Sequence, residues 1–460
     1  MLTAAATTLS GRSADAREFV TGFDEPAYKS ATAQTRNLAF DRTVSVNGRV
    51  ARLDLIWANA APTRPKDPFN PGDPAYRFAT IDAAINGAAA HGLDVLLTIS
   101  VAPAWAESPG RDPGAPPGSW RPQPNEVEAF AIAVARRYSG SYVAAGAAGP
   151  LPQVRHYQAW NEPNLSRYIT PQYVGKKPVS PGIYRRLLDR FWAGVKSVSS
   201  DNVVITGGTA PFGEDPGGSR VRPLAFWRRL LCLRGRRALK PRRCPLKARF
   251  DIAAHHPLNT VGGPRESAAN EDDVVIADMG ELRRVIRVAE RRRRVRGGRP
   301  HPLWATEFWW ETNPPDPRGV SLQVQARWIE EAFYVLFKKG VRVALMIGVS
   351  DVPYTGRPGS ATLQSGLFFE NGQAKPSMEA FRFPFVVARR GKRRAEAWAI
   401  APTSGTMVIE RLAGGAWKAV RQLSVRRFEV VRTNVPPKKG QWRVRIGAES
   451  SLAWRFRAHR

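Results

Sequence analysis

Two short segments carry residue types that could do chemistry together: Val154-Arg-His-Tyr-Gln-Ala-Trp-Asn-Glu-Pro-Asn164 and Leu303-Trp-Ala-Thr-Glu-Phe-Trp-Trp310. Each reads as a short apolar strand closing on one glutamate, Glu162 or Glu307, with tryptophans beside it. A carboxyl group deprived of water by aromatic rings can hold its proton near neutral pH while its partner stays ionised. Hydrolysis of a sugar acetal needs such a pair: an acid protonates the departing oxygen, and a carboxylate captures or stabilises the oxocarbenium-like centre. Asn161 would donate from its amide to a sugar 2-hydroxyl. Trp160, Trp309 and Trp310 would offer flat apolar faces to sugar C–H groups and exclude water.

Residues so distant in sequence meet only if the elements between them bring them to one face. Phe19–Phe23 and Val50–Trp57 read as strands. Ile81, Ala84, Ile85 and Ala88 mark a helix that Gly92 ends, and Leu93–Ile99 is a buried strand leading into Ala102-Pro-Ala-Trp105. The cycle repeats: a helix through Val127, Phe130, Val134 and Tyr138, then the strand to Glu162; a helix through Ile183, Leu187, Phe191 and Val195, then Val203–Thr206. A helix over Leu224–Leu233 precedes the strand Phe250–Ala254, which delivers His255 and His256. An arginine-rich helix through Leu282, Val285, Ile286 and Ala289, stopped by Gly297 and Gly298, precedes the strand to Glu307. A helix through Trp328, Phe333 and Leu336 leads to Val341–Ile347.

Eight strands alternating with helices are what a closed parallel (β/α)8 TIM barrel requires, and no Gly-rich phosphate loop follows the first strand to favour an open nucleotide-binding sheet. The residues of interest come at the C-terminal ends of strands, the face where barrel enzymes build their sites. The expected division is an N-terminal stretch over 1–18, a catalytic barrel over 19–384, and a small C-terminal antiparallel β-sandwich over 385–460. In the last, Ala395–Ala401, Thr406–Leu412, Arg427–Val431, Trp442–Ile446 and Ala453–Phe456 are strand-like runs without helical period.

Trp160-Asn161-Glu162-Pro163 on the fourth strand with Thr306-Glu307 on the seventh resembles glycoside hydrolase clan A, the retaining glycosidases on a (β/α)8 barrel, with families 5 and 39 as the nearest types. Arg52-Leu-Asp-Leu-Ile-Trp57, Ala102-Pro-Ala-Trp105, His255-His256-Pro257 and Gly366–Pro376 extend the likeness over about residues 19 to 384. The resemblance implies a double displacement in which Glu162 is acid/base and Glu307 nucleophile, with Asn161 contacting the 2-hydroxyl. It also implies that Arg52 and one of the two histidines hold Glu307 ionised. Trp105 joins the expected substrate contacts. Arg52 could equally be an interior ion pair with Asp54, and either histidine could be structural. The chain departs from the family at Val349-Ser350-Asp351, where many relatives carry a tryptophan, and at Leu258, where an aromatic is common. Both departures bear on the substrate rather than on the reaction.

The chain has 460 residues, 70 Lys and Arg against 39 Asp and Glu, and a net charge of +31; only 14 of the basic residues are lysines. That bias often reflects coding composition, and no basic stripe interleaved with aromatics marks a nucleic-acid site. The expected partner is a carbohydrate substrate, with no nucleic acid; weak association with anionic cell-wall polymers would coexist with catalysis. The rival readings are a catalytically inactive carbohydrate-binding barrel and a basic polyanion-binding protein. Cys232 and Cys244 could close one short loop by a disulfide in an oxidising compartment, or be free thiols in the cytosol. They lack CxxC spacing and a histidine cluster, so no metal or other cofactor is expected. Ala14-Asp15-Ala16 suits the end of a signal peptide whose basic start and apolar core are lacking, no run is long enough to span a membrane, and secretion is the expected fate.

Overall fold

The computed structural model describes residues 18–457 except 260–261, 299, 357–361 and 392. The expected N-terminal stretch therefore lies, apart from Glu18, outside the described residues. The chain is a (β/α)8 barrel followed by two small antiparallel sheets.

The barrel strands are β1 (Val20–Asp24), β2 (Val50–Ile56), β3 (Asp94–Ser100), β4 (His156–Ala159), β5 (Val203–Thr206), β6 (Ala253–His255), β7 (Leu303–Phe308) and β8 (Val341–Ile347). Each is followed by a helix: α1 (Ala33–Ser45), α2 (Ala79–Ala90), α3 (Pro124–Arg137), α4 (Ser180–Val198), α5 (Pro223–Leu230), α6 (Met279–Arg291), α7 (Leu322–Lys339) and α8 (Pro376–Arg382). The strands pair in parallel in the order β6-β7-β8-β1-β2-β3-β4-β5. Bridges between Ile205 and Ile252 and between Thr209 and His255 close the ring. Several helices start on rules legible in the chain: Pro124 and Pro223 sit in first turns, where no amide partner is lost, and the Ser321 hydroxyl accepts the Val324 amide. Gly340, at φ 85°, ends α7 in the left-handed conformation.

Alternate residues of the strands fill the interior. Val20, Val50, Leu96, Ile205, Ile252, Ala254, Trp304, Val343 and Leu345 form one closed cluster, floored by the His156 ring, 5.4 Å from that of Trp304. The outward residues join the helices in the main core. Above the interior plug the filling turns polar: Arg52, Thr98, Gln158 and Thr306 point inward and are all buried.

Beyond one-residue shifts at strand ends, four barrel boundaries differ from the sequence reading. β4 stops at Ala159, three residues before Glu162, because the chain leaves the strand at Trp160, φ 76°. β6 lies three residues beyond the apolar start at Phe250, which instead packs on Trp227 and His301 outside the ring. α5 ends at Leu230, short of Leu233. α6 ends at Arg291 rather than at the glycines: Arg293 takes φ 52°, and Val295–Arg296 pairs with Ala248–Arg249.

The C-terminal part forms one three-stranded sheet (Phe385–Arg389, Ala395–Ile400, Val430–Val435) and a second built on Gly405–Ala413, Ala416–Val425, Gly440–Ile446 and Trp454–Phe456. Ala416–Val425 escaped the sequence reading because it is an exposed edge with no apolar alternation, and Val430–Val435 begins three residues later than expected. The Trp454 indole donates to the Val387 carbonyl at 2.8 Å and ties the sheets together. Trp398 docks on the barrel against Phe19, Tyr334 and Phe337, its ring centre 6.5, 5.9 and 5.9 Å from theirs.

Candidate active site

The loop after β4 places Glu162. Leaving the strand, Trp160 and Glu162 both adopt positive φ, 76° and 35°, which side chains other than glycine rarely take. The neighbours that hold this turn include the Glu162 amide donating to the Gly208 carbonyl at 3.0 Å and Trp160 Nε1 donating to the Tyr168 carbonyl at 2.8 Å. Asn164 links the turn to the loop after β5, accepting from the Ala210 amide at 2.8 Å and donating to the Val221 carbonyl at 3.0 Å. Backbone kept in such conformations marks sites where side-chain aim matters.

Glu307 is next to last in β7 and points into the same mouth. An oxygen of Glu162, a ring nitrogen of His256 and an oxygen of Glu307 all lie within 4.8 Å of one another. The fully buried His256 sits between the two, Nδ1 3.1 Å from Glu162 Oε1 and Nε2 3.3 Å from Glu307 Oε1. Its ring packs against the backbone of Gly208, where a Cβ would stand 2.0 Å from Nε2.

Arg52 organises the floor. Its Nη1 donates to Glu307 Oε1 and pairs with Asp24 Oδ2 at 2.9 Å. Its Nη2 donates to Asn161 Oδ1 at 2.9 Å and to Asp54 Oδ1 at 3.2 Å. Nε donates to Thr98 Oγ1 at 3.0 Å, and that hydroxyl in turn donates to Gln158 Oε1 at 2.8 Å; Gln158 Nε2 donates to the Thr206 carbonyl at 3.0 Å. One guanidinium thus contacts both Asp54 and Glu307. Burial works against its charge, yet Asp54, Asp24 and Glu307 together raise its pKa well above the usual guanidinium value. Burial likewise pushes the Asp24 carboxyl well above the usual carboxylate range; Arg52 opposes this, while Asp54 and Glu307 add to it. Tyr168 faces the same mouth, its hydroxyl pushed up to about 12 by burial and then by Glu162.

The structure separates the two histidines. His255 is buried away from the glutamates, Nδ1 2.7 Å from Thr209 Oγ1 and Nε2 2.8 Å from the Val274 carbonyl, and burial presses its pKa down to about 3. It is a structural residue, not a substrate contact. Trp160 and Trp310 are 2% and 4% exposed, with Trp310 Nε1 donating to the Gly262 carbonyl at 3.2 Å, so they support the walls rather than present open platforms. Trp309 and Trp105 are half-buried; Trp105 donates to the Ala61 carbonyl at 2.9 Å and packs edge-on against Trp57. Sequence reasoning missed Asp24, Thr98, Gln158, Tyr168 and Gly208. Asp24 and Thr98 carried one usable signal, polar residues inside or at the tip of otherwise apolar strands. Cys232 and Cys244 form a disulfide with Cα atoms 5.9 Å apart.

Two carboxylates and an imidazole this close could ligate a metal ion. The Arg52 guanidinium already fixes a positive charge on the shared Glu307 oxygen, which opposes a second cation there.

No protein-family model matches the chain, and no curated protein sequence matches it significantly. The fold is that of clan A glycoside hydrolases. A family 39 glycoside hydrolase from the gut symbiont Bacteroides cellulosilyticus superposes with TM-score 0.54 at 15% identity, over 92% of this chain and 81% of that one. A GH39 enzyme from Xanthomonas axonopodis pv. citri gives 0.51 at 14% identity over 93% of each chain. A monomeric beta-xylosidase from Caulobacter crescentus gives 0.50 at 16% identity, over 91% and 94%.

Proposed function

We propose that the chain is a retaining O-glycoside hydrolase acting on a polysaccharide or glycoconjugate. The observation that carries this reading is the convergence of Glu162 and Glu307 on one imidazole at the C-terminal mouth of a closed barrel. Retaining glycosidases hold their two carboxyls about 5–5.5 Å apart, whereas inverting ones leave roughly 6.5–9.5 Å for a water. Oxygens within 4.8 Å support the first arrangement.

Glu307, oriented by Arg52, attacks the anomeric carbon as Glu162 gives its proton to the leaving oxygen. A glycosyl ester on Glu307 results, and Glu162 then takes a proton from the water that displaces the sugar. Asn161 is held with its oxygen on Arg52, so its NH2 group, beside the Tyr168 hydroxyl, is the end left to donate to a sugar hydroxyl. The Cys232–Cys244 bridge supports an oxidising, extracellular destination.

A panel of aryl glycosides identifies the sugar; proton NMR of the first-formed product should then show the substrate's anomeric configuration. Incubation with the matching 2-deoxy-2-fluoro glycoside should add one sugar mass to the wild-type protein and none to Glu307→Gln, whose turnover falls by about 10⁴-fold or more. Inverted product, or labelling that survives Glu307→Gln, overturns the mechanism. A panel without turnover would leave a binding barrel.

A further inference from the structure

Seven cationic side chains and no carboxylate line a hollow of 380 Å³ on the barrel flank, between the start of α4 and the segment after α5. Nearby arginines are matched by acids, Arg222 with Asp273 and Arg228 with Asp272, each at 2.7 Å. Within the hollow, Lys177, Arg186, Arg229, Arg242 and Arg243 have no carboxylate at ion-pair distance among the described residues. Arg185, 7% exposed, spends its guanidinium on the carbonyls of Leu230, at 2.8 Å, and Arg229. Burial and then the charges of Arg242, Arg186 and Arg294 press its pKa down to about 10, so these cations repel one another without relief. A converging set of like charges with no counter-ion of its own favours an anionic ligand.

The hollow is built rather than incidental. The disulfide fixes its far wall: Arg242 and Arg243 directly precede Cys244, and the Arg242 amide donates to the Cys232 carbonyl at 2.8 Å. Its near wall is the hairpin of Tyr173–Val174 with Lys177–Pro178, part of the same loop that carries Glu162. Past Pro178, Arg229 and Arg242 it continues into a second hollow of 330 Å³ that adds Lys176 and Arg234, so the cationic path is elongated. Pro178, Pro181, Ile183 and Pro245 contribute apolar lining to the first hollow, and no aromatic ring lines it. Single-stranded nucleic acid is held by stacking successive bases on aromatic rings, and a path with the one ring of Tyr173 in its second hollow offers no such run.

We infer that this path binds an acidic glycan, a sugar chain bearing carboxylate or sulfate groups. The choice of glycan over other polyanions rests on the glycosidase reading above; the anion site itself rests on the lining residues.

Binding is measured on full-length Glu307→Gln protein, so hydrolysis plays no part, with polygalacturonate, dextran sulfate, neutral dextran and a single-stranded oligodeoxynucleotide. Arg242→Glu with Arg243→Glu should weaken both acidic polymers by about tenfold or more, and added salt should weaken them further. The control Lys418→Glu with Arg421→Glu, on the exposed strand Ala416–Val425, makes the same change in net charge and should cost less than about twofold. Arg243→Ala, a single exposed truncation, should show a smaller loss if the double variant folds poorly. Neutral dextran should not bind. Equal weakening in groove and control variants, or no binding of either acidic polymer, overturns the inference; so does tighter, groove-dependent binding of the oligonucleotide. A chain that shows the expected pattern but no turnover keeps the groove and loses only the enzymatic reading.

Discussion

A Cβ built on Gly208 would stand 2.0 Å from Nε2 of His256, so the imidazole between the two glutamates occupies space that any other residue at 208 would fill. The ring cannot retreat, because it is fully buried behind Glu162 and Glu307. Gly208→Ala is therefore expected to push His256 off the carboxylates and lower kcat/KM by about 100-fold, the cost of misplacing a catalytic group by an ångström. Thermal unfolding with kinetics on the best aryl glycoside checks this; unchanged kcat/KM in a folded variant would sink it.

Arg52→Lys keeps the charge but loses the fork that joins Asn161, Asp54, Asp24 and Glu307. A lysine is a point charge and cannot span these partners, so turnover should fall on the order of 100-fold. Arg52→Met should in addition lower stability by about 3–5 kcal/mol, since it strands buried carboxylates without a counter-charge. Denaturant unfolding beside the kinetics separates the two effects.

Acid should loosen the barrel from below. Burial lowers His156 from 6.5 to about 4, so the unfolded chain binds a proton there that the folded chain refuses. Stability is then full above the unfolded value and is lost as pH falls through that window, by on the order of 3 kcal/mol from this residue once pH is near 4. His255, lowered to about 3, acts in the same direction. The thermal midpoint of His156→Leu should fall less than that of the wild type between about pH 7 and pH 4.5; parallel curves would exclude the assignment.

Lys375 Nζ lies 2.7 Å from Asp351 Oδ2 and donates to Thr312 Oγ1 at 2.9 Å and to the Gln364 carbonyl at 3.1 Å, pinning the loops after β7 and β8 to the start of α8. Both side chains are buried, so Asp351→Leu alone leaves an uncompensated ammonium and should cost about 3–5 kcal/mol, while Asp351→Leu with Lys375→Met should recover much of it. Chemical denaturation of the two variants gives the comparison.

Much of this is legible in the sequence, for physical reasons. β5 and β8 match the sequence reading residue for residue because apolar runs buried on both faces announce themselves. Counting the alternation put Glu162 and Glu307 on the same end of one ring. What stayed hidden depends on contacts between distant strands: Thr98 and Gln158 become a hydrogen-bonded belt only after β3, β4 and β5 close side by side. Nothing local distinguished His255 from His256, whose roles diverge through Thr209 and Gly208. The tryptophans misled in part, since an indole near a glutamate reads alike whether its N–H is capped by a carbonyl, as in Trp160 and Trp310, or open to a ligand.

Trp398 is anchored among Phe19, Tyr334 and Phe337, and Glu396 beside it takes the Tyr334 hydroxyl at 3.3 Å and lies 3.5 Å from Lys338 Nζ. The two sections of the protein therefore share one oily seam instead of touching through a hydrated hinge. Cutting the gene after position 384 would strip the cover from that seam and deliver a sticky fragment, whereas the intact chain should melt in a single step.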